Sequence, residues 1–290
     1  MNFGSVLTAM VTPFDRKGNV DFEATTRLVE YLINNGTEGL VVCGTTGESP
    51  TLTTEEKLAM FKHVVSVVNK RVPVIAGTGT NNTKASIDMT KQAESIGVDG
   101  IMAVAPYYNK PSQEGLYEHY KAIAESTSLP VMIYNIPGRS SVNIQPKTII
   151  RLAEIENITS VKEASGNLDA FTEIIANTPD DFILYSGDDG LTLPALSIGA
   201  VGVISVASHV IGNEMSKMVK LFKEGHLKEA ASMHQKLLPV MRTLFIAPSP
   251  APVKAALQMK GLDVGSVRLP IIPLSKEERE LVQNTIQPYL

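Results

Sequence analysis

Cysteine is all but missing from this 290-residue chain, where Cys43 is the single one. One thiol excludes an intramolecular disulfide framework and fits a reducing compartment. Runs of like charge are missing too. Lys and Arg number 26 against 30 Asp and Glu, for a net charge of −4, and no cluster forms the basic stripe that nucleic acid requires. The opening segment MNFGSVLTAMVTPFDRKG has no basic stretch ahead of its apolar residues, so no secretory signal is expected. Residues 190–213 lack Asp, Glu, Lys and Arg over the length of a bilayer span. Five helix-disfavouring residues (Gly190, Pro194, Gly199, Gly202, Gly212) interrupt them, which favours a buried helix–strand–loop passage. The expectation is a cytoplasmic protein with neither a nucleic-acid nor a membrane partner.

What is there is a large supply of core. Hydrophobic residues make up 43% of the chain and charged ones 19%, which argues against disorder. Eight short apolar runs recur along it, at 6–13, 39–44, 73–79, 100–106, 130–137, 158–165, 182–189 and 201–208. Each is bounded by Gly, Pro or polar turn residues and reads as an interior parallel strand with both faces covered. Amphipathic stretches separate them, at 21–35, 53–69, 83–96, 112–126 and 146–154. In the second of these, Thr53 or Thr54 can cap and Glu55 and Glu56 suit the first turn. Eight strand–helix units predict a (β/α)8 barrel over residues 1–212. The remainder, 213–290, reads as a helical extension packed on that barrel.

In such a barrel, chemistry sits at the C-terminal ends of the strands. Polar residues there include Thr8, Thr12, the GTTGE turn (Gly44–Glu48), Thr78, Tyr107, Tyr108, Tyr134, Asn135, Lys162, Glu163, Ser186 to Asp189, and Ser205. Lys162 is the unusual one, because it lies inside the run ITSVKEAS. Alternation puts Ser160, Lys162 and Ala164 on one face and Val161 and Glu163 on the other. Burial disfavours a charged amine, and a neutral amine attacks ketones to form a Schiff base. A structural lysine paired with Glu163 or an aspartate is the competing reading. Tyr134 lies one strand–helix repeat earlier, which places it beside Lys162 on the neighbouring strand. A tyrosine there can shuttle the protons of imine formation; a hydrogen-bonded core tyrosine is the plainer alternative.

Other chemistries read poorly. The GTTGE turn offers backbone N–H groups ahead of a helix and can hold a carboxylate, but it lacks the Lys-Ser/Thr ending of a phosphate loop. GTGTNN lacks the third glycine of a dinucleotide fingerprint. The five histidines (63, 119, 209, 226, 234) have no metal-ligand spacing. Asp188 and Asp189 read as capping or turn residues, and Ser49 and Ser205 have no triad partner.

The motifs GTTGES, YYNKPSQEGLYEHY, YNIPGR, VKEASGN, SGDD and GVISV, in that order, resemble the class I aldolase family of N-acetylneuraminate lyase and dihydrodipicolinate synthase. The similarity runs to PVKAALQMKGL near residue 262. It implies condensation of pyruvate with L-aspartate 4-semialdehyde, on the path to diaminopimelate and lysine. Lys162 would form the Schiff base and Tyr134 would be the general acid/base. Thr45 would link Tyr134 to Tyr108, which would reach in from a neighbouring subunit. Thr46 would hold the pyruvate carboxylate, with Ile204 and Gly187 also facing substrate, and Arg139 would meet the carboxylate of the semialdehyde. No cofactor or metal is implied, because the imine is itself the electron sink. A homo-oligomer is implied, either a dimer of dimers or a dimer. Sister lyases acting on sialic acid or keto-sugar acids typically carry Ser where Thr45 stands and lack Arg139. Lysine-inhibited members have a glutamate where this chain has Ala85 and a histidine near Thr54 and Lys57, so insensitivity to lysine is expected, although Ser49, Asn81 and Tyr107 match that pocket.

Overall fold

In the computed structural model, which describes residues 3–290, the eight apolar runs are eight short parallel strands. They are β1 (Val6–Ala9), β2 (Gly39–Val42), β3 (Val74–Gly77), β4 (Gly100–Val104), β5 (Val131–Asn135), β6 (Ile158–Glu163), β7 (Ile183–Ser186) and β8 (Gly202–Ser205). Each pairs with the next and β8 pairs back onto β1, so the barrel is closed and has no free edge. Helices α1 (Phe22–Asn34), α2 (Thr54–Val68), α3 (Thr83–Ile96) and α4 (Gln113–Ala124) follow the first four strands. The short α5 (Pro137–Ser140) and α6 (Pro146–Leu152) lie between β5 and β6. Then α7 (Leu168–Asn177) and the six-residue α8 (Thr192–Ser197) lead into β7 and β8.

Period-2 burial splits the core in two. Leu7, Val41, Ile75, Met102, Met132, Tyr134, Tyr185 and Ile204 point into the barrel and meet there, with Phe3 joining them. Outward strand residues such as Val42, Ala76, Ile133 and Val161 pack under the helices in a separate, larger cluster. Gly100 leaves room for the Phe3 ring, since a Cβ there would lie 2.7 Å from it.

The helix α9 (Ser208–Lys223) packs on β1 and α1 and closes the outer ring. It crosses the division expected at 212/213, with a kink at Ile211. Beyond it come α10 (Leu227–Thr243), α11 (Ala251–Met259) and α12 (Lys276–Ile286). The segment 262–275 is an irregular strap rather than a helix. Among the described residues no helix is long and apolar enough to cross a membrane, and residues 190–213 form a helix, a strand and the start of α9.

Candidate active site

Tyr134 and Lys162 are direct partners in the β5–β6 register, and Lys162 faces Tyr185 across β7. Both point into the barrel near its C-terminal end and both are buried. The Lys162 ammonium rests on the Tyr134 ring, 4.2 Å from its centroid. This contact is a cation–π geometry, and it puts the amine beside a phenol with no carboxylate between them.

Glu163, the residue offered as a structural partner for Lys162, is on the opposite face and is occupied. Its carboxylate accepts from Asn135 Nδ2 at 2.9 Å and from the Ser165 amide at 2.7 Å. Burial pushes that carboxyl above its usual range, with these hydrogen bonds working against the shift. Asn135 in turn accepts from the Ile144 amide at 3.0 Å. The Asn135–Glu163 pair therefore ties the ends of β5 and β6 to the loops behind them and frees the inner face for Lys162.

Gly187 has a steric reason to be glycine. A Cβ there would sit 2.6 Å from Ala164 Cβ and 3.2 Å from Lys162 Cε. Next to it, Asp188 caps a turn through the Gly190 amide at 2.8 Å, as expected from the sequence. Asp189 does more: fully buried, it accepts from the amides of Val206 and Ala207 at 3.1 and 2.9 Å. Those bonds hold the chain just past Ile204, whose side chain lies in the interior cluster.

The GTTGE turn closes on itself through Glu48 N–H to the Thr45 carbonyl (3.1 Å) and Ser49 N–H to the Gly44 carbonyl (3.3 Å). Thr46 is buried and Thr45 half-buried. One expectation needs correcting here. The turn does not feed a helix N-terminus, because only a three-residue 3-10 turn, Ser49–Thr51, follows it. The next helix, α2, is capped by Thr53 in a reciprocal box with Glu56. Any donors that this turn offers a carboxylate are its own backbone amides and hydroxyls, without a helix N-terminus behind them.

A cavity of about 270 Å³ opens over these strand ends, lined by Thr45, Tyr107, Tyr134, Ile136 and Arg139 among others. A wider groove of about 700 Å³ runs past Gly187, Asp188, Leu238 and Arg242 and shares Ile136 and Arg139 with the cavity. Lys162 lies between the two, against Tyr134 of one and Gly187 of the other. Arg139, exposed on α5, stands at their junction. Thr46 and Ile204, both buried, line neither the cavity nor the groove, and Tyr108 stands apart from all of these residues. It has φ +72° and is 89% exposed, and it does not line the cavity. Cys43 does line it, and burial pushes its thiol up to about 12, which favours the protonated form over the thiolate. Among the described residues no group of three His, Cys, Asp or Glu side chains is placed to hold a metal ion.

The dihydrodipicolinate synthetase family model matches residues 2–288 of the chain. The chain belongs to that family. It is 64% identical over 286 residues to the 4-hydroxy-tetrahydrodipicolinate synthase of Bacillus velezensis, covering 99% of both chains. It is 63% identical over 287 residues to the same-named protein of Bacillus subtilis, again over 99% of each. The crystal structure of dihydrodipicolinate synthase DapA-2 from Bacillus anthracis superposes with a TM-score of 0.98 at 65% identity, over 99% of this chain and 98% of that one. Membership fits the barrel and its strand-end lysine. The structure adds three features that the sequence reading did not give: the Asp189 bonds to Val206 and Ala207, the Asn135–Glu163 brace, and Lys254 as the partner of Glu48.

Proposed function

We propose that the chain condenses pyruvate with L-aspartate 4-semialdehyde to 4-hydroxy-tetrahydrodipicolinate, the product for which its relatives are named. The observation that carries the reading is the β5–β6 register, which sets the Lys162 ammonium on the Tyr134 ring at 4.2 Å. The Lys162 amine adds to the pyruvate ketone, and loss of water from the carbinolamine leaves an imine. Loss of a methyl proton then gives an enamine, which attacks the aldehyde carbon; the new alkoxide takes a proton. The semialdehyde's own amine finally displaces Lys162 from the imine carbon and closes the ring. Tyr134 moves the protons of these steps. Thr45 and Thr46 on the closed turn serve the tyrosine and the pyruvate carboxylate respectively. Gly187 lines the groove beside Lys162, the Ile204 backbone faces pyruvate, and Arg139, at the cavity mouth, meets the semialdehyde carboxylate with charge-assisted hydrogen bonds.

Tyr108 extends the reading to the assembly. A solvent-exposed phenol held at positive φ serves this site by entering a second copy of the chain, so the working enzyme is a homo-oligomer, and we favour a dimer of dimers. A cytoplasmic setting follows from the substrates. In this reading the barrel, with α9 closing its outer ring, carries the chemistry and the helices beyond α9 brace it, so the working boundary falls after Lys223 rather than at 212/213.

Borohydride reduction in the presence of pyruvate tests the centre of this reading. A stable adduct on Lys162, located by mass spectrometry, is the expected result. An adduct on exposed Lys110 instead, or efficient cleavage of N-acetylneuraminate, would overturn it.

A further inference from the structure

Glu48 ends the GTTGE turn in the left-handed region, at φ +57° and ψ +36°. A non-glycine residue rarely adopts that conformation without surroundings that hold it there. Here the holding group comes from far along the chain. Lys254 of α11 reaches in so that its Nζ lies 2.7 Å from Glu48 Oε1, with side chains 3% and 1% exposed. The same ammonium donates to the Ser266 carbonyl at 2.8 Å and sits 4.1 Å above the Phe14 ring. The other carboxylate oxygen accepts from the Arg268 amide at 2.8 Å. The Arg268 guanidinium also lies over the Phe14 ring, 4.3 Å from its centroid, and reaches Glu56 at 2.8 Å and the Thr51 carbonyl at 2.7 Å. Burial of Lys254 is costly: it pulls the ammonium down to about 8 even with Glu48 beside it.

We propose that Glu48 and Lys254 are positioning residues, through which the C-terminal helices hold the Thr45–Thr46 turn in the shape that receives a keto-acid carboxylate. The inference rests on the proposed role of that turn toward pyruvate. Its logic is geometric. Thr46 is two residues from the anchored Glu48, and the Glu48 amide itself closes the turn onto the Thr45 carbonyl. Gly47 between them is packed against Cys43 and Met10, where a Cβ would meet backbone at 3.1–3.2 Å. The turn is therefore pinned at its end by charge and at its middle by contact. If the charge is released, the Glu48 side chain keeps only the Arg268 amide, 2.8 Å from its other carboxylate oxygen.

The test must separate a fold-stabilising pair from a positioning one. A single substitution strands one buried charge and risks unfolding, so the informative protein is the double variant Glu48→Gln/Lys254→Met, which removes both charges. The expected result is a KM for pyruvate raised tenfold or more. The KM for the semialdehyde stays within about twofold and kcat at saturating pyruvate within a few-fold. Borohydride still traps pyruvate on Lys162 in this variant at high pyruvate. A pyruvate KM within twofold of the parent, with only the melting temperature lowered, would show the pair to be purely structural and overturn the inference. Failure of the unmodified enzyme to trap pyruvate at all would instead remove the functional reading, and the inference with it.

Discussion

Among the described residues two lysines are buried, Lys162 and Lys254, and each rests on an aromatic ring, at 4.2 Å from Tyr134 and 4.1 Å from Phe14. Their surroundings differ in one respect. Lys254 has a carboxylate at 2.7 Å and a carbonyl acceptor, and it is a cation built into the seam between barrel and extension. Lys162 has neither, and the nearest acid in sequence, Glu163, is turned outward and satisfied by Asn135 and Ser165. A buried amine with its acceptors supplied joins elements together. A buried amine without them, at the end of a barrel strand and beside a phenol, is placed to react.

The largest expected contrast comes from replacing each lysine with methionine. Lys162→Met should abolish pyruvate trapping and lower turnover by ~10⁴-fold or more. Its melting temperature should stay at or above the parent's, because no partner is left unpaired. Lys254→Met should reverse the pattern. It strands Glu48 and costs on the order of 3–5 kcal/mol of stability, while trapping on Lys162 survives. Calorimetry and adduct mass spectrometry on both variants read the comparison directly; matching profiles would break it.

Tyr134→Phe comes next. It should lower turnover by ~10²-fold, the usual scale of a positioned acid/base, with the fold intact because the ring keeps its packing. A steady-state assay with a melting curve checks both halves. Arg139→Ala should raise the KM for the semialdehyde by ~10-fold or more, the scale of a lost hydrogen bond to a charged group. Because Arg139 is exposed at the mouth rather than at Lys162, pyruvate trapping should be unchanged.

The same comparison marks where sequence reading stopped. Strands and helices were legible because burial leaves a period, and the eight runs and five helical stretches fall on elements of the fold. Lys162 was legible for a related reason, as a charge inside a β run followed by a one-repeat spacing to Tyr134. Lys254 carries a similar signal, a charge inside APVKAAL, but its meaning depends on Glu48, 206 positions away in the chain. Nothing local to GTTGE says that its last residue is left-handed or that its carboxylate belongs to α11. The strap 262–275 escaped for the opposite reason: with no periodicity of its own, it owes its path to Arg268 and to Val264, whose carbonyl accepts from the Phe14 amide at 3.1 Å.

A third buried base, His209, sharpens the lesson at smaller scale. Its Nε2 accepts from the Val11 amide at 3.2 Å, and its Nδ1 lies 2.8 Å from the Val206 carbonyl. That arrangement fits the neutral ring and leaves no place for a second proton. Burial lowers its pKa to about 4. The folded value lies below the unfolded value of about 6.5, so the stabilisation is complete above that pH. It is lost as pH falls from 6.5 toward 4, by at most about 1.4 kcal/mol per unit. Denaturation of the parent and of His209→Gln across this range should show their stability difference shrinking with acidification. A difference constant with pH would mean that His209 carries a proton in the fold.

The smallest expected effect is no effect, and it concerns the one lysine of the cavity wall. Lys57 is half-buried there, and desolvation lowers its pKa. Ser49 and Tyr107 line the same cavity, so part of a lysine-binding surface is present. The parts that would recognise an amino-acid ammonium are not: Ala85 stands exposed on α3 where a carboxylate is needed, and Thr54 opens α2. A lysine ligand would bring a second ammonium toward Lys57 without gaining an acceptor, losing a charge-assisted bond and meeting repulsion. Millimolar L-lysine, already the regime of weak binding at ~1 mM, should leave the steady-state rate within about twofold. Ala85→Glu tests the cause, since it supplies the carboxylate that the family resemblance puts at this position, and it should create measurable inhibition. Strong inhibition of the unmodified enzyme would show that the lysine ligand's ammonium finds an acceptor other than a carboxylate at position 85.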